Sequence, residues 1–179
     1  MDATQVRERL QFARRRCEEL LALNHGNLAG ASASERQQLI QEFLFHVVGA
    51  IEVLAQVVNE VRELGIDAEA VSITRVAKAV EGEPLELQLR SLYANARHQP
   101  LHPDPYGEDG LVFRMYNYRG QVTHRGSNPF LFTLPSRTAH LLLDPRNPEA
   151  GASNVPVAEE LRRMYEIVAR RCEDVLAIC

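Results

Sequence analysis

Tryptophan is absent from this chain of 179 residues, aromatic residues make up only 6% of it, and cysteine occurs three times. Cys17, Cys172 and Cys179 are odd in number and have no CxxC spacing, which argues against the disulfide framework of small secreted domains. Cys17 and Cys172 fall in helical patterns as small apolar core residues do, and the chain reads as a protein of a reducing cytoplasm. No run approaches the roughly 18 uncharged apolar residues of a spanning helix, and Met1-Asp2-Ala3-Thr4 leads into charged residues instead of an apolar leader. Neither secretion nor a membrane is expected. There is no large excess of charge of either sign: 20 Lys and Arg against 24 Asp and Glu leave a net charge of -4, so no broad positive field faces phosphate backbones or anionic lipid. Any nucleic-acid contact must be local. A Walker loop, GxGxxG, HExxH and GxSxG are all missing, which removes support from nucleotide-fold, zinc-protease and serine-elbow readings.

What the chain does have is apolar periodicity, with 45% hydrophobic residues and a length that buries about 70% of the unfolded surface without staples. Val6, Leu10, Ala13, Cys17 and Leu20 recur at spacings of three and four, as an amphipathic helix requires, and Asn24-His25-Gly26 ends that pattern. Ser32-Ala33-Ser34-Glu35 has the form of a capping box and opens a long helix with Ile40, Leu44, Val47, Ile51, Leu54, Val58 and Val61 inward. Phe43, Phe45, Val48 and Val57 widen its apolar face. This helix is the candidate centre of the bundle, and its surplus of apolar positions suggests a homodimer.

Ser72 to Val80 reads as a short helix stopped by Gly82, and Pro84 suits the first turn of the next. The row from His98 to Gly110 holds three prolines and predicts a loop. A helix with Leu111, Met115, Tyr118 and Val122 on one face follows and runs into Arg119 to His124. Phe130 to Leu134 and Ala139 to Leu143 switch to short apolar runs that suit a hairpin, Pro145 to Ser153 reads as a second loop, and Pro156 opens the last helix. The expectation is an all-α, up-and-down bundle of five to six helices in one domain over 1–179, with an extended or hairpin insertion at about 126–153.

For chemistry, His98 and His102 have a spacing that holds metal on a helix, but Pro100 and Pro103 break that helix. A metal enzyme using His98, His102 and Asp104 is therefore the weakest reading, and neither a metal nor a cofactor is expected. His46 beside Phe45 reads as a boundary histidine, His25 as part of a helix C-terminus, and Arg14-Arg15-Arg16 as a solvated face given Glu18 and Glu19. The segment Tyr116-Asn117-Tyr118-Arg119-Gly120-Gln121-Val122-Thr123-His124-Arg125 is different, because it crowds aromatic, cationic and polar groups together. On a helix, positions 119 and 124 stand about 140° apart with about 7.5 Å of rise, a gap that a long Arg side chain closes. A guanidinium forks onto phosphate oxygens and an imidazole moves protons near neutral pH. Those are the two parts that RNA cleavage through its own 2′-hydroxyl needs without a metal, and Tyr116 and Tyr118 are candidates to stack bases nearby. The competing structural reading has Arg119 paired with a carboxylate, His124 at a helix end and the tyrosines in the core.

Arg119 and His124, with four residues between them in a helical bundle, resemble the Arg-x4-6-His motif of the HEPN superfamily. The stretch from Glu42 to Leu54, with Asn59-Glu60 after it, is similar to the long helix of such bacterial proteins, and Tyr118-Arg119-Gly120 with Thr123-His124-Arg125 is similar to their later segment. The resemblance spans roughly residues 35 to 179. It implies a bundle that dimerises so that Arg and His of both subunits face one cleft, and a metal-independent endoribonuclease, often a toxin or defence effector. Arg119 would then hold the scissile phosphate, His124 would transfer the proton, and Arg125, Tyr116 and Tyr118 would bind substrate. One position departs from the pattern: Gly120 stands where catalytic members commonly carry a polar residue, often Asn. Other members are non-catalytic bundles that bind a partner protein, such as an antitoxin, or a nucleotide, which is the alternative expectation here.

Overall fold

A computed structural model describes residues 2–25, 33–94, 102–125, 130–133, 138–144 and 146–179. The order of elements is α1 (Ala3–His25), α2 (Ala33–Val61), α3 (Ile73–Ala79), α4 (Pro84–Ser91), α5 (Glu108–Arg125), β1 (Phe130–Thr133), β2 (Thr138–Leu142), a 3-10 turn (Pro148–Ala150), β3 (Ala152–Pro156) and α6 (Val157–Ile178). The protein is an all-α bundle carrying a small antiparallel sheet between α5 and α6.

The apolar stripes explain the bundle. Val6, Leu10, Ala13, Cys17 and Leu20 of α1 are all buried, and so is the stripe of α2 from Ile40 to Val58. Because α2 is apolar on more than one side, it packs against α1, α3, α5 and α6. Phe43 lies at its centre with no exposed surface; truncating such a ring to Ala typically costs about 3–5 kcal/mol. By length and composition α2 is also the helix among the described residues that meets the test for crossing a membrane, but more than half of its most apolar window is buried in this core. Past its end, Asn59 closes the turn with its side-chain amide, donating to the Ile66 carbonyl at 2.9 Å and accepting from the Ile66 N–H at 3.1 Å.

Local signals hold at the short helices. Ser72 caps α3 by accepting from the Arg75 N–H at 3.4 Å, and Pro84 occupies the first turn of α4, where a missing N–H costs nothing. Ser32 and the residues from 95 to 101 lie outside the described residues.

Two expectations are corrected. The helix expected after Gly110 begins earlier, at Glu108, because the Asp104 carboxylate accepts from the Tyr106 and Gly107 N–H groups and turns the chain there. The loop expected over Pro145 to Ser153 gives way at Ala152 to β3, which joins β2 and extends the hairpin to three strands in the order β1-β2-β3. Pro156, expected to open the last helix, does so as the N-cap of α6, with φ -55° and ψ 141°. β3 reads as Ala-Ser-Asn-Val-Pro, a row without apolar alternation, so its pairing with β2 comes from tertiary context and not from its own propensity.

Helix α5 is also more deeply embedded than a single stripe implies. Every residue from Gly110 to Met115 is buried, along with Asn117, Tyr118 and Gln121. At its start the backbone runs tightly against the 102–107 turn, so a Cβ at Gly110 would overlap the Asp104 carbonyl oxygen. One consequence is a fully buried ion pair, Arg114 of α5 with Glu160 of α6.

Candidate functional site

The expected site residues lie on the last turns of α5, which continues as helix through Gly120 to Arg125. A Cβ at Gly120 would meet nothing within 4 Å, so this glycine answers to no close neighbour. Arg119 is about one-third exposed and reaches Glu52 of α2, Nη2 to Oε1 3.2 Å. The side chains of His124 and Arg125 lie outside the described residues, as do His98 and the side chain of His25.

Tyr116 and Tyr118 part company. Tyr116 faces the Arg119 side of the helix: its hydroxyl donates to the Leu92 carbonyl at 3.2 Å, and its ring meets Tyr93 edge-on with centroids 5.6 Å apart. Burial, with the Glu52 charge adding to it, holds its phenol above the ordinary range. With Glu52, Gln56, Tyr93 and Ser72 it lines a cleft of about 330 Å³. Tyr118, expected to stack a base, has no exposed surface. Its hydroxyl donates to the Leu142 carbonyl at 2.6 Å and accepts from Arg114 Nε and Nη2 at 2.9 and 2.5 Å. That position makes Tyr118 a strut between α5 and β2, with no face open to a ligand.

The sequence reading missed the network around Tyr118. Arg114 donates also to the Pro105 carbonyl at 3.3 Å and stands over the Tyr106 ring at 5.7 Å. Burial pushes the Glu160 carboxyl above its ordinary range, against the pull of Arg114. Arg114 follows Phe113 and precedes Met115 in an otherwise apolar row, and a cation within a buried stripe is the signal that marks such a pair.

Of the residues of the metal reading, His102 and Asp104 are otherwise engaged. His102 Nδ1 meets the Asp104 backbone, O at 2.9 Å and N at 3.2 Å, while the Asp104 carboxylate accepts the two N–H groups named above. Among the described residues no group of three or more His, Cys, Asp or Glu converges as a metal site would. Cys17 and Cys172 do not offer a nucleophile: burial pushes the first thiol up to about 11 and the second up to about 12, so neither is a thiolate at neutral pH.

A second cleft, of about 490 Å³, runs between α1 and α2 and is lined by Arg9, Phe12, Phe45, Gly49 and Glu52 among others. Phe12 and Phe45 are exposed at 41% and 57%, a large share for rings this size. His46 stacks on Phe12 with centroids 5.1 Å apart and meets Phe45 edge-on at 5.3 Å. Arg9 stands over Phe45 at 5.3 Å and Arg15 over Phe12 at 5.5 Å. Of the apolar surplus expected to form a dimer face, Phe43 and Val48 are in the core and Phe45 alone of those three reaches the surface. Phe12 falls between the inward positions Leu10 and Ala13 of its helix, and that phase is the sequence signal that foretells its exposure.

Comparison with protein-family models, with curated proteins and with solved structures finds no match to this chain.

Proposed function

We propose that the chain is a HEPN-like, metal-independent endoribonuclease of the toxin or defence-effector kind, working as a homodimer with Arg119 and His124 of each subunit facing a shared cleft. The observation that carries the reading is the continuity of α5 through Gly120, which sets Arg119 and His124 five residues apart on one helix with the Arg119 guanidinium at the bundle surface. In this reaction His124 takes the proton of a ribose 2′-hydroxyl as its oxygen attacks the adjacent phosphorus. The bond from phosphorus to the 5′-oxygen breaks, that oxygen takes its proton from a His124 imidazolium, and the products carry a 2′,3′-cyclic phosphate and a 5′-hydroxyl. Arg119, with Arg125 near it in sequence, holds the crowded phosphoryl anion, and Tyr116 flanks the site. The ion pair with Glu52 does not bar this role, because an exposed pair is worth only about 0–1 kcal/mol and yields to a better anion.

The same ion pair favours a second reading, in which the bundle is non-catalytic and binds a partner protein or a nucleotide: Glu52 then simply neutralises Arg119. Cleavage of a mixed RNA pool in EDTA, by the wild type and by His124→Ala and Arg119→Ala, separates the two. The nuclease reading expects cyclic-phosphate ends from the wild type and a loss of about 10²–10⁴-fold on removing the histidine. Equal cleavage by His124→Ala and wild type would end it, and no cleavage by any of the three would turn the assignment to the binding bundle.

A further inference from the structure

We infer that the groove between α1 and α2 is a binding track for single-stranded nucleic acid, with bases against Phe45 and Phe12 and phosphates on Arg9 within the groove and on Arg15 outside its lining, over the Phe12 ring. The inference rests on the nucleic-acid reading above and extends it to a surface outside the Arg119 and His124 segment.

Most arginines of the described surface are neutralised by a carboxylate, such as Arg7 by Glu173, Arg14 by Glu18 and Arg170 by Glu108. Arg9 and Arg15 are not: among the described residues their charged ends stand over exposed rings and form no ion pair with a carboxylate. A guanidinium on a ring keeps its full charge and its outward N–H donors for a phosphate. The rings supply the other half, since every base has a π-face and stacking on an aromatic side chain tolerates any sequence. His46 fills the gap between Phe12 and Phe45 and ties the two helices into one platform. Gly49 keeps the floor low, with Arg9 Cδ and Nη1 both 3.8 Å from where a Cβ would stand.

The groove also leads to the candidate catalytic segment. Glu52, the partner of Arg119, lines the same cleft, and from Phe45 to Glu52 is seven residues of helix, about 10 Å. A strand stacked on the rings therefore passes directly toward the Arg119 guanidinium. With a net charge of -4 on the whole chain and with Glu8 and Glu52 in the cleft lining, long-range attraction is weak, and two arginines that form no ion pair among the described residues, set on a stacking surface, are how such a protein can still hold a strand.

The test is the binding of fluorescein-labelled oligothymidylate, followed by anisotropy over a salt series, together with oligouridylate presented to His124→Ala. Oligothymidylate lacks the 2′-hydroxyl that the proposed cleavage requires, so its binding is read apart from nuclease activity. Phe45→Ala should weaken binding about tenfold. Arg9→Ala with Arg15→Ala should lower the slope of log affinity against log salt by about 1.4, since each phosphate contact on a single strand contributes about 0.7. These side chains are at the surface, and circular dichroism checks that each variant keeps its helices.

Binding that falls in the groove variants supports the track even if RNA is never cleaved, in which case the nuclease reading alone fails. Unchanged binding in these variants, or no binding of either oligonucleotide by a protein that still cleaves RNA, would overturn the track and leave the nuclease reading in place. So would light scattering that shows Phe45→Ala splitting a dimer while oligonucleotide binding stays the same, since the rings would then meet a second copy.

Discussion

Glu52 of α2 and Arg119 of α5 meet at 3.2 Å on the surface of the bundle, and Glu52 lines both clefts on this side of the molecule. The carboxylate therefore competes for the guanidinium with any anion that enters either cleft. Glu52→Gln keeps the shape and removes the charge. Stability by urea unfolding should change by less than about 1 kcal/mol, as for other exposed pairs, while KM for RNA cleavage, or Kd for an oligonucleotide, should fall several-fold. A rise in KM would mean that Glu52 positions Arg119 instead of competing for it.

The buried pair behaves in the opposite way. Arg114 and Glu160 have 0% and 1% side-chain exposure, so removing one partner leaves a charge without solvent or counterion. Arg114→Met should cost about 3–5 kcal/mol. The double variant Arg114→Met with Glu160→Leu should recover much of that loss, because an apolar pair of similar volume needs no compensation. Tyr118→Phe, which leaves the Leu142 carbonyl without its donor, should cost about 1–3 kcal/mol. Chemical denaturation of the four proteins measures all three effects.

Two glycines of α5 should respond with opposite signs. At Gly120 a Cβ meets nothing within 4 Å, so Gly120→Ala should raise stability by about 1 kcal/mol through helix propensity alone. At Gly110 a Cβ would overlap the Asp104 carbonyl, and Gly110→Ala should lower stability by about 1–3 kcal/mol as the turn is forced away. Thermal unfolding of the pair decides both.

His46 should make stability depend on pH in the mildly acidic range. Its partial burial, then the Arg9 and Arg16 cations, hold its pKa below 6.5 against the opposing Glu42. The unfolded chain thus binds the proton first as pH falls from 6.5, so the contribution is present above 6.5 and is lost as pH drops through the folded value. NMR titration should place the His46 midpoint below 6.5. His46→Phe, which keeps a ring against Phe12 and Phe45, should flatten the stability profile in that window.

Much of the helical framework is written locally. Spacings of three and four in α1 and α2, Ser72 as a cap, Pro84 in a first turn and the change of period before β1 and β2 all act through near neighbours. The residue types of the candidate site, Arg119 and His124 on one helix, are likewise a matter of spacing. Tertiary packing decided what spacing leaves open. β3 pairs with β2 without an apolar pattern of its own, Tyr118 turns inward to Arg114 and Leu142 while Tyr116 stays beside Arg119, and Glu52 arrives from a helix 67 residues away. The reason is physical: periodicity tells which face of a helix is apolar, but the partner of a buried charge or a surface guanidinium is set by which helix lies across from it. The exposed platform of Phe12, His46 and Phe45 belongs to the same class, since two off-stripe rings on separate helices become one surface only when those helices pack side by side.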